Sequence, residues 1–280
     1  MKNFKAVFSA LITPFDQGEV DFPSLQRLIE FQLEKGIQGF VINGTTAESP
    51  TLTAKEREKI FSFTKERVPS SFPLIMGTGS NSTVKTIQES KEAEKMGADG
   101  ILVVVPYYNK PPQRGLLEHF KAVADATTTP NFLYNVPSRT ITFLELETIK
   151  KLSEHPNILG IKEASGNIEF AQQIRKACGE SFVLLSGDDG TYDEFMAAGG
   201  DGVISVASMV IPEAMLKTKA RENKDLIEAL FIEANPIPVK KCLQLMGIIK
   251  SAECRLPLVS LAENHTDKIR KILKQKGLIK

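Results

Sequence analysis

The chain is 280 residues long with a formal net charge of +1. That length suits one large domain or two small ones, and the near-neutral balance gives no bulk electrostatic reason to bind nucleic acid or an acidic membrane surface. No apolar run approaches the ~18 residues of a spanning helix.

Lys2 and Lys5 precede the apolar run Ala6–Ile12, but Thr13-Pro14-Phe15-Asp16 follows without a small-residue cleavage site. The run therefore reads as a first buried strand and not as a leader peptide. Further strands are expected at Gly39–Ile42, Pro73–Met76, Gly100–Val105, Asn131–Asn135, Leu159–Glu163, Phe182–Ser186 and Gly202–Ser205. Amphipathic helix patterns alternate with them, among others at Asp21–Lys35, Ala54–Arg67, Thr83–Met96 and Gln113–Ala126. One joint recurs: Lys35-Gly36-Ile37-Gln38-Gly39, Met96-Gly97-Ala98-Asp99-Gly100 and Ala198-Gly199-Gly200-Asp201-Gly202 each run from a helix into a strand. Glycine is favoured just past a helix end because it tolerates the left-handed conformation.

Strict alternation implies parallel pairing with right-handed crossovers, and about eight such units favour a closed (β/α)8 TIM barrel over an open sheet. An open dinucleotide-binding sheet is disfavoured, because Gly77-Thr78-Gly79 lacks a third glycine and follows a later strand. Past Glu222 the strands stop. Leu226–Ala234, Pro238–Ile249 and Asp267–Lys276 read as helices. The expected organisation is a catalytic barrel over residues 1–222 and a C-terminal helical appendage over 223–280, packed on the barrel.

Cys178, Cys242 and Cys254 are odd in number and lack CxxC spacing. Free thiols in a reducing, cytoplasmic setting are expected, with no disulfide frame and no zinc site. His119, His155 and His265 fall on helices or helix ends without metal-ligand spacing, so solvated or capping roles are expected. Asp188-Asp189 reads as a helix cap, since two adjacent aspartates make a weak metal motif.

Barrel chemistry lies at the C-terminal ends of the strands. Those ends carry Gly44-Thr45-Thr46, Tyr107-Tyr108, Tyr134 followed by Arg139, Lys162, and Ser186-Gly187. Singly, each has a plain structural reading: a turn and cap, a surface aromatic pair, a packed tyrosine, a solvated arginine, a snorkelling lysine. Co-location at one barrel mouth is what those separate readings do not predict. Lys162 is the focus. Lysine is almost never fully buried without a partner, and Gly160 and Ala164 on its own strand face are expected to leave room around the ammonium. Glu163 should face the other way. A lysine forms Schiff bases with ketones once it is neutral, and burial favours the neutral form. With no histidine on the strand ends, tyrosine hydroxyls relayed through a threonine are the candidate proton shuttle. The backbone after Gly44 and the Arg139 guanidinium suit carboxylates.

The motifs Gly44-Thr45-Thr46, Pro106-Tyr107-Tyr108-Asn109, Tyr134-Asn135-Val136-Pro137-Ser138-Arg139, Gly160-Ile161-Lys162-Glu163-Ala164-Ser165-Gly166-Asn167, Ser186-Gly187-Asp188-Asp189 and Asn235-Pro236-Ile237-Pro238-Val239-Lys240 cover essentially the whole chain. Together they resemble the dihydrodipicolinate synthases, within the pyruvate-dependent class I aldolases. The resemblance implies condensation of pyruvate with aspartate 4-semialdehyde in lysine biosynthesis. It makes Lys162 the Schiff-base lysine, Tyr134 the proton donor and acceptor, and Thr45 the link from Tyr134 to Tyr108. It places Thr46, Gly187 and Ile204 at the pyruvate site and Arg139 at the semialdehyde carboxylate. It implies a homotetramer built as a dimer of dimers, with Tyr108 supplied across the dimer interface, and no metal or organic cofactor.

Two positions depart from the family pattern. Ala47 stands where Gly-Thr-Thr-Gly-Glu has its last glycine, and Ile141 stands where Arg-Thr-Gly has its glycine. In lysine-inhibited relatives the allosteric pocket would correspond to Tyr107, Ser49, Asn81 and Lys85, with Ala54 and Arg57 at positions where such relatives commonly carry histidines. Lys85 replaces a glutamate there, so impaired feedback is expected. The nearest alternatives are a sialic acid lyase or an aldolase for a keto-deoxy sugar acid or hydroxy-oxoglutarate. A different class would be a barrel that binds a keto acid without catalysis. Arg139 argues for a short acidic aldehyde over a polyol.

Overall fold

The computed structural model describes residues 2–280. Its strands are β1 (Val7–Ala10), β2 (Phe15–Asp16), β3 (Glu19–Val20), β4 (Gly39–Ile42), β5 (Leu74–Gly77), β6 (Gly100–Val104), β7 (Asn131–Asn135), β8 (Ile158–Glu163), β9 (Val183–Ser186) and β10 (Gly202–Ser205). Eight of them form a closed barrel in the order β1-β10-β9-β8-β7-β6-β5-β4. The (β/α)8 expectation holds, with strand limits shifted by no more than a residue or two. The antiparallel pair β2–β3, with Phe15 opposite Val20, was not expected from sequence. Two-residue strands are too short to show alternation.

Chain contacts gather into two compact units. One holds the residues up to Ala6 together with Pro73–Ile204. Its core lies between strands and helices: Ile101, Val103, Leu133, Ile161 and Leu184 pack with Leu116, Phe120, Ile149, Leu152, Ala171 and Ile174. Fully burying one such aliphatic side chain contributes roughly 1.5–3 kcal/mol. The helical residues recur at spacings of three and four, which gives each helix one apolar stripe.

The other unit holds Val7–Phe72 and Ser205–Lys280. Its helix Ala54–Lys65 begins with a reciprocal capping box between Thr53 and Glu56. Glu56 also receives Arg255, whose hydrogen bonds hold its carboxyl down to about 2. The C-terminal part of the unit forms helices Lys224–Leu230, Ile237–Leu245 and Glu263–Gln275.

The recurring joint has a common mechanism. Gly36, Gly97 and Gly199 all take left-handed φ, at 81°, 79° and 94°. Two residues on, Gln38, Asp99 and Asp201 each use a side-chain oxygen to accept a neighbouring strand's first N–H groups: from Val7, Leu74 and Leu184, each at 2.9 Å. The glycine turns the chain, and the polar residue docks the new strand beside its neighbour.

Two expectations change. His119 is neither solvated nor a cap. It faces the core of its helix, 6% exposed, with Nδ1 2.9 Å from Thr83 Oγ1. Desolvation lowers its pKa to about 4. His155 and His265 do sit at helix ends, paired with Asp125 and Glu233. Of the acidic pair, Asp188 Oδ2 accepts from the Thr191 N–H and hydroxyl, so the cap of helix Tyr192–Ala197 is Thr191 with Asp188 bracing it. The three cysteines are unpaired.

Candidate active site

Strand alternation sets the site. Leu133 and Ile161 belong to the core against the helices, so Tyr134 and Lys162 point to the other face of the sheet. Tyr134 on β7 is the register partner of Lys162 on β8. The Lys162 ammonium lies 4.3 Å from the centre of the Tyr134 ring. Both side chains are buried, at 8% and 7% exposure. No carboxylate pairs with Lys162 among the ion pairs of the described residues.

Glu163 faces away, as alternation requires. Its carboxylate accepts from Asn135 Nδ2 at 2.7 Å and from the Ser165 N–H at 2.6 Å. Burial without a cation raises its pKa. Asn135 Oδ1 in turn accepts from the Leu144 N–H at 3.0 Å. A hydrogen-bonded brace therefore ties the ends of β7 and β8 together.

The space around Lys162 does not come from Gly160. A Cβ at Gly160 would lie 2.2 Å from the carbonyl oxygen of Val183. That glycine lets β9 approach β8. The room comes from Gly187, just past β9, where a Cβ would lie 2.7 Å from Lys162 Cε and 3.0 Å from Cγ. Ala164 packs at the same point, 2.6 Å from that Cβ position. Ile204 is buried on β10, whose Val203 pairs with Ser186, so Ile204 lies one step further along toward Gly187.

Beyond β7 the chain turns through the short helix Pro137–Thr140, which carries Arg139 on an exposed surface. Ile141 ends that helix with φ 62° and is 70% exposed. A β-branched residue is strained there, where the family pattern has glycine. Tyr108 is 86% exposed and also left-handed, at φ 75°. Its loop is tied to the loop before helix Thr83–Met96 by Asn109 Nδ2, which donates to Asn81 O at 2.9 Å. Tyr107 is partly exposed, and Lys85 sits 3.8 Å from Glu89 on the same helix.

In the other unit, Thr45–Ala47 forms a 3-10 turn directly after β4 and Gly44. Thr45 is exposed and Thr46 buried. Ala47 is absent from the residues with positive φ, so alanine fits the turn without strain. Ser49 is half-buried on the next turn, Ala54 is exposed and Arg57 half-buried.

Sequence reasoning missed one cluster. Glu48, 2% exposed, is paired with Lys240, which is fully buried. Lys240 also donates to Glu253 O at 2.7 Å and stands 4.3 Å from the centre of the Phe15 ring. Burial lowers the Lys240 pKa, and Glu48 opposes that shift. The signal was present as a charged residue directly after the apolar Ile237-Pro238-Val239.

Residues 3–276 match the family model described as the Dihydrodipicolinate synthetase family. The 4-hydroxy-tetrahydrodipicolinate synthase of Bdellovibrio bacteriovorus is 56% identical, with 100% of each chain covered. That of Persephonella marina is 45% identical over 99% of this chain and 100% of its own. The crystal structure of the dihydrodipicolinate synthase from Thermotoga maritima superposes with a TM-score of 0.96 at 42% identity, covering 99% of both chains. A full-length match in sequence and a barrel with the lysine and tyrosine on adjacent strands agree: the chain belongs to the dihydrodipicolinate synthetase family.

Proposed function

We propose that the chain condenses pyruvate with L-aspartate 4-semialdehyde to 4-hydroxy-tetrahydrodipicolinate, the first committed step of diaminopimelate and lysine biosynthesis. The observation that carries the reading is the register pairing of Lys162 with Tyr134, two buried side chains with the ammonium over the ring.

In this reading Lys162 Nζ attacks the ketone carbon of pyruvate, and the carbinolamine loses water to give an imine. Loss of a proton from the pyruvate methyl group then gives an enamine, whose carbon attacks the aldehyde of the second substrate. The amino group of the second substrate then attacks the imine carbon and displaces the Lys162 amine, which closes the ring of the product, so that the net loss is the one water shed when the first imine formed. Tyr134 donates and accepts the protons of these steps, relayed by Thr45 and Tyr108. Thr46, Gly187 and Ile204 hold the pyruvyl group. Arg139 grips the semialdehyde carboxylate in bidentate fashion. The imine serves as electron sink, so the reaction calls for no metal or organic cofactor.

The same reading makes residues 1–222 the catalytic barrel and 223–280 a helical region serving it. It makes the enzyme a homotetramer, a dimer of dimers in which Tyr108 serves the partner's relay. Its support is the strained backbone of an almost fully exposed tyrosine, a conformation that needs a reason. A cytoplasmic setting goes with the pathway. Among the described residues no helix is long and apolar enough to cross a membrane.

Borohydride reduction in the presence of pyruvate tests the chemistry. Activity should be lost and pyruvyl mass should appear on the peptide carrying Lys162. Mass on another lysine, or none, overturns the reading. Parallel assays with sialic acid and keto-deoxy sugar acids should show little cleavage.

A further inference from the structure

The turn after β4 is held by residues nearly two hundred positions further along the chain. Thr46 Oγ1 accepts a hydrogen bond from Asn235 Nδ2 at 2.9 Å, and both residues are buried, at 5% and 7% exposure. Thr13 Oγ1 donates to Ala47 O at 2.9 Å. The next residue, Glu48, is clamped by the Lys240 ammonium and by the Arg255 N–H at 2.9 Å. Three consecutive residues are thus fixed by four separate partners, in a turn whose last residue is left-handed at φ 57°.

The direction of the Thr46–Asn235 bond has a chemical consequence. An amide NH2 donates and does not accept, whereas a hydroxyl has one proton and two lone pairs. With a lone pair of Thr46 engaged by Asn235, the hydroxyl proton is left to be donated elsewhere. A carboxylate accepts and does not donate. We infer that Asn235 is a positioning residue for pyruvate recognition: it fixes the Thr46 hydroxyl as a donor toward the pyruvate carboxylate, while the Glu48–Lys240 pair anchors the turn that presents it. The inference deepens the proposed function and rests on its assignment of Thr46.

The test compares Asn235→Asp with Asn235→Ala. In Asn235→Ala the Thr46 proton stays free. In Asn235→Asp an ionised carboxylate takes that proton and turns it away from substrate. The Michaelis constant for pyruvate should therefore rise about tenfold more in Asn235→Asp than in Asn235→Ala, in line with the loss of a hydrogen bond to a charged group. The constant for the semialdehyde should move less than twofold in either. A role in stability alone predicts no such order. Simple charge repulsion is separated by repeating the pair in Thr46→Val, where the gap between aspartate and alanine should close.

Melting curves report folding. If Asn235→Ala does not fold, Asn235→Gln and Asn235→Glu repeat the donor-against-acceptor comparison with one more methylene. Equal pyruvate constants within a pair, or a gap that persists in Thr46→Val, overturn the inference. Borohydride trapping of the wild type is run beside them. A Lys162 adduct with no gap between variants defeats the positioning role alone, and no adduct defeats it together with the functional reading.

Discussion

Gly187 leaves open the space that the Lys162 stem runs through: a Cβ on Gly187 would lie 2.7 Å from Cε and 3.0 Å from Cγ of the lysine. The lysine reaches its position because the residue just past the neighbouring strand β9 has no side chain. Gly187→Ala should displace the lysine stem, and misplacement by ~1 Å costs about a hundredfold in rate. Steady-state kinetics and the rate of pyruvate trapping should both fall by roughly that factor, against a stability loss of about 1–3 kcal/mol from overpacking. A Gly187→Ala enzyme with wild-type trapping would show that the lysine uses other space.

Ile141 offers the opposite case, a residue in the wrong conformation for its type. Its φ of 62° and high exposure mean that strain is not repaid by burial. Ile141→Gly should remove a left-handed penalty of roughly 1–2 kcal/mol, partly offset by glycine's freedom in the unfolded chain. The expected result is a gain of about 0.5–1 kcal/mol, seen as a higher urea midpoint. A loss of stability would show that the isoleucine side chain makes contacts that outweigh the strain.

His119 should give the protein an acid-sensitive limb. Its pKa falls from 6.5 in the unfolded chain to about 4 in the folded one. Between those values the unfolded chain binds more protons, so stability rises with pH. The neutral histidine's contribution is complete above about 6.5 and is lost as pH falls through about 4. Over that window the loss is on the order of 3 kcal/mol. In urea titrations, His119→Gln should lose less stability than wild type between pH 7 and pH 4. Parallel curves would mean that the imidazole charges without penalty.

The expectation of impaired feedback by lysine turns on Lys85. Its exposed ammonium is 3.8 Å from Glu89, and at the corresponding position lysine-inhibited relatives would carry a carboxylate. Two like charges ~4 Å apart repel by about 1 kcal/mol in water and about 4 kcal/mol at an effective dielectric of ~20. Exchanging attraction for repulsion doubles the difference before screening, enough to weaken binding more than tenfold. Millimolar L-lysine should therefore inhibit little, and Lys85→Glu should shift the response toward sensitivity. A half-inhibitory concentration below about 1 mM in the unaltered enzyme would contradict this.

The sequence by itself determined the alternation of strands and helices, the glycine joints between them and the strand positions of Lys162 and Tyr134. Each of these is written within a few residues. Period-two alternation puts Lys162 on one face of its strand and Ile161 and Glu163 on the other without reference to any neighbour. The tertiary structure decided what lies across the gap. Gly160 and Gly187 look equivalent along the chain, yet one admits the Val183 backbone and the other the Lys162 stem. His119 has a solvent-facing residue type but lies on the apolar stripe of its helix, so burial and not its own chemistry sets its titration. Glu48 finds Lys240, and Thr46 finds Asn235, across separations of 192 and 189 residues. Local periodicity depends on the geometry of one element. Steric fit and burial depend on which elements become neighbours, and barrel closure sets that.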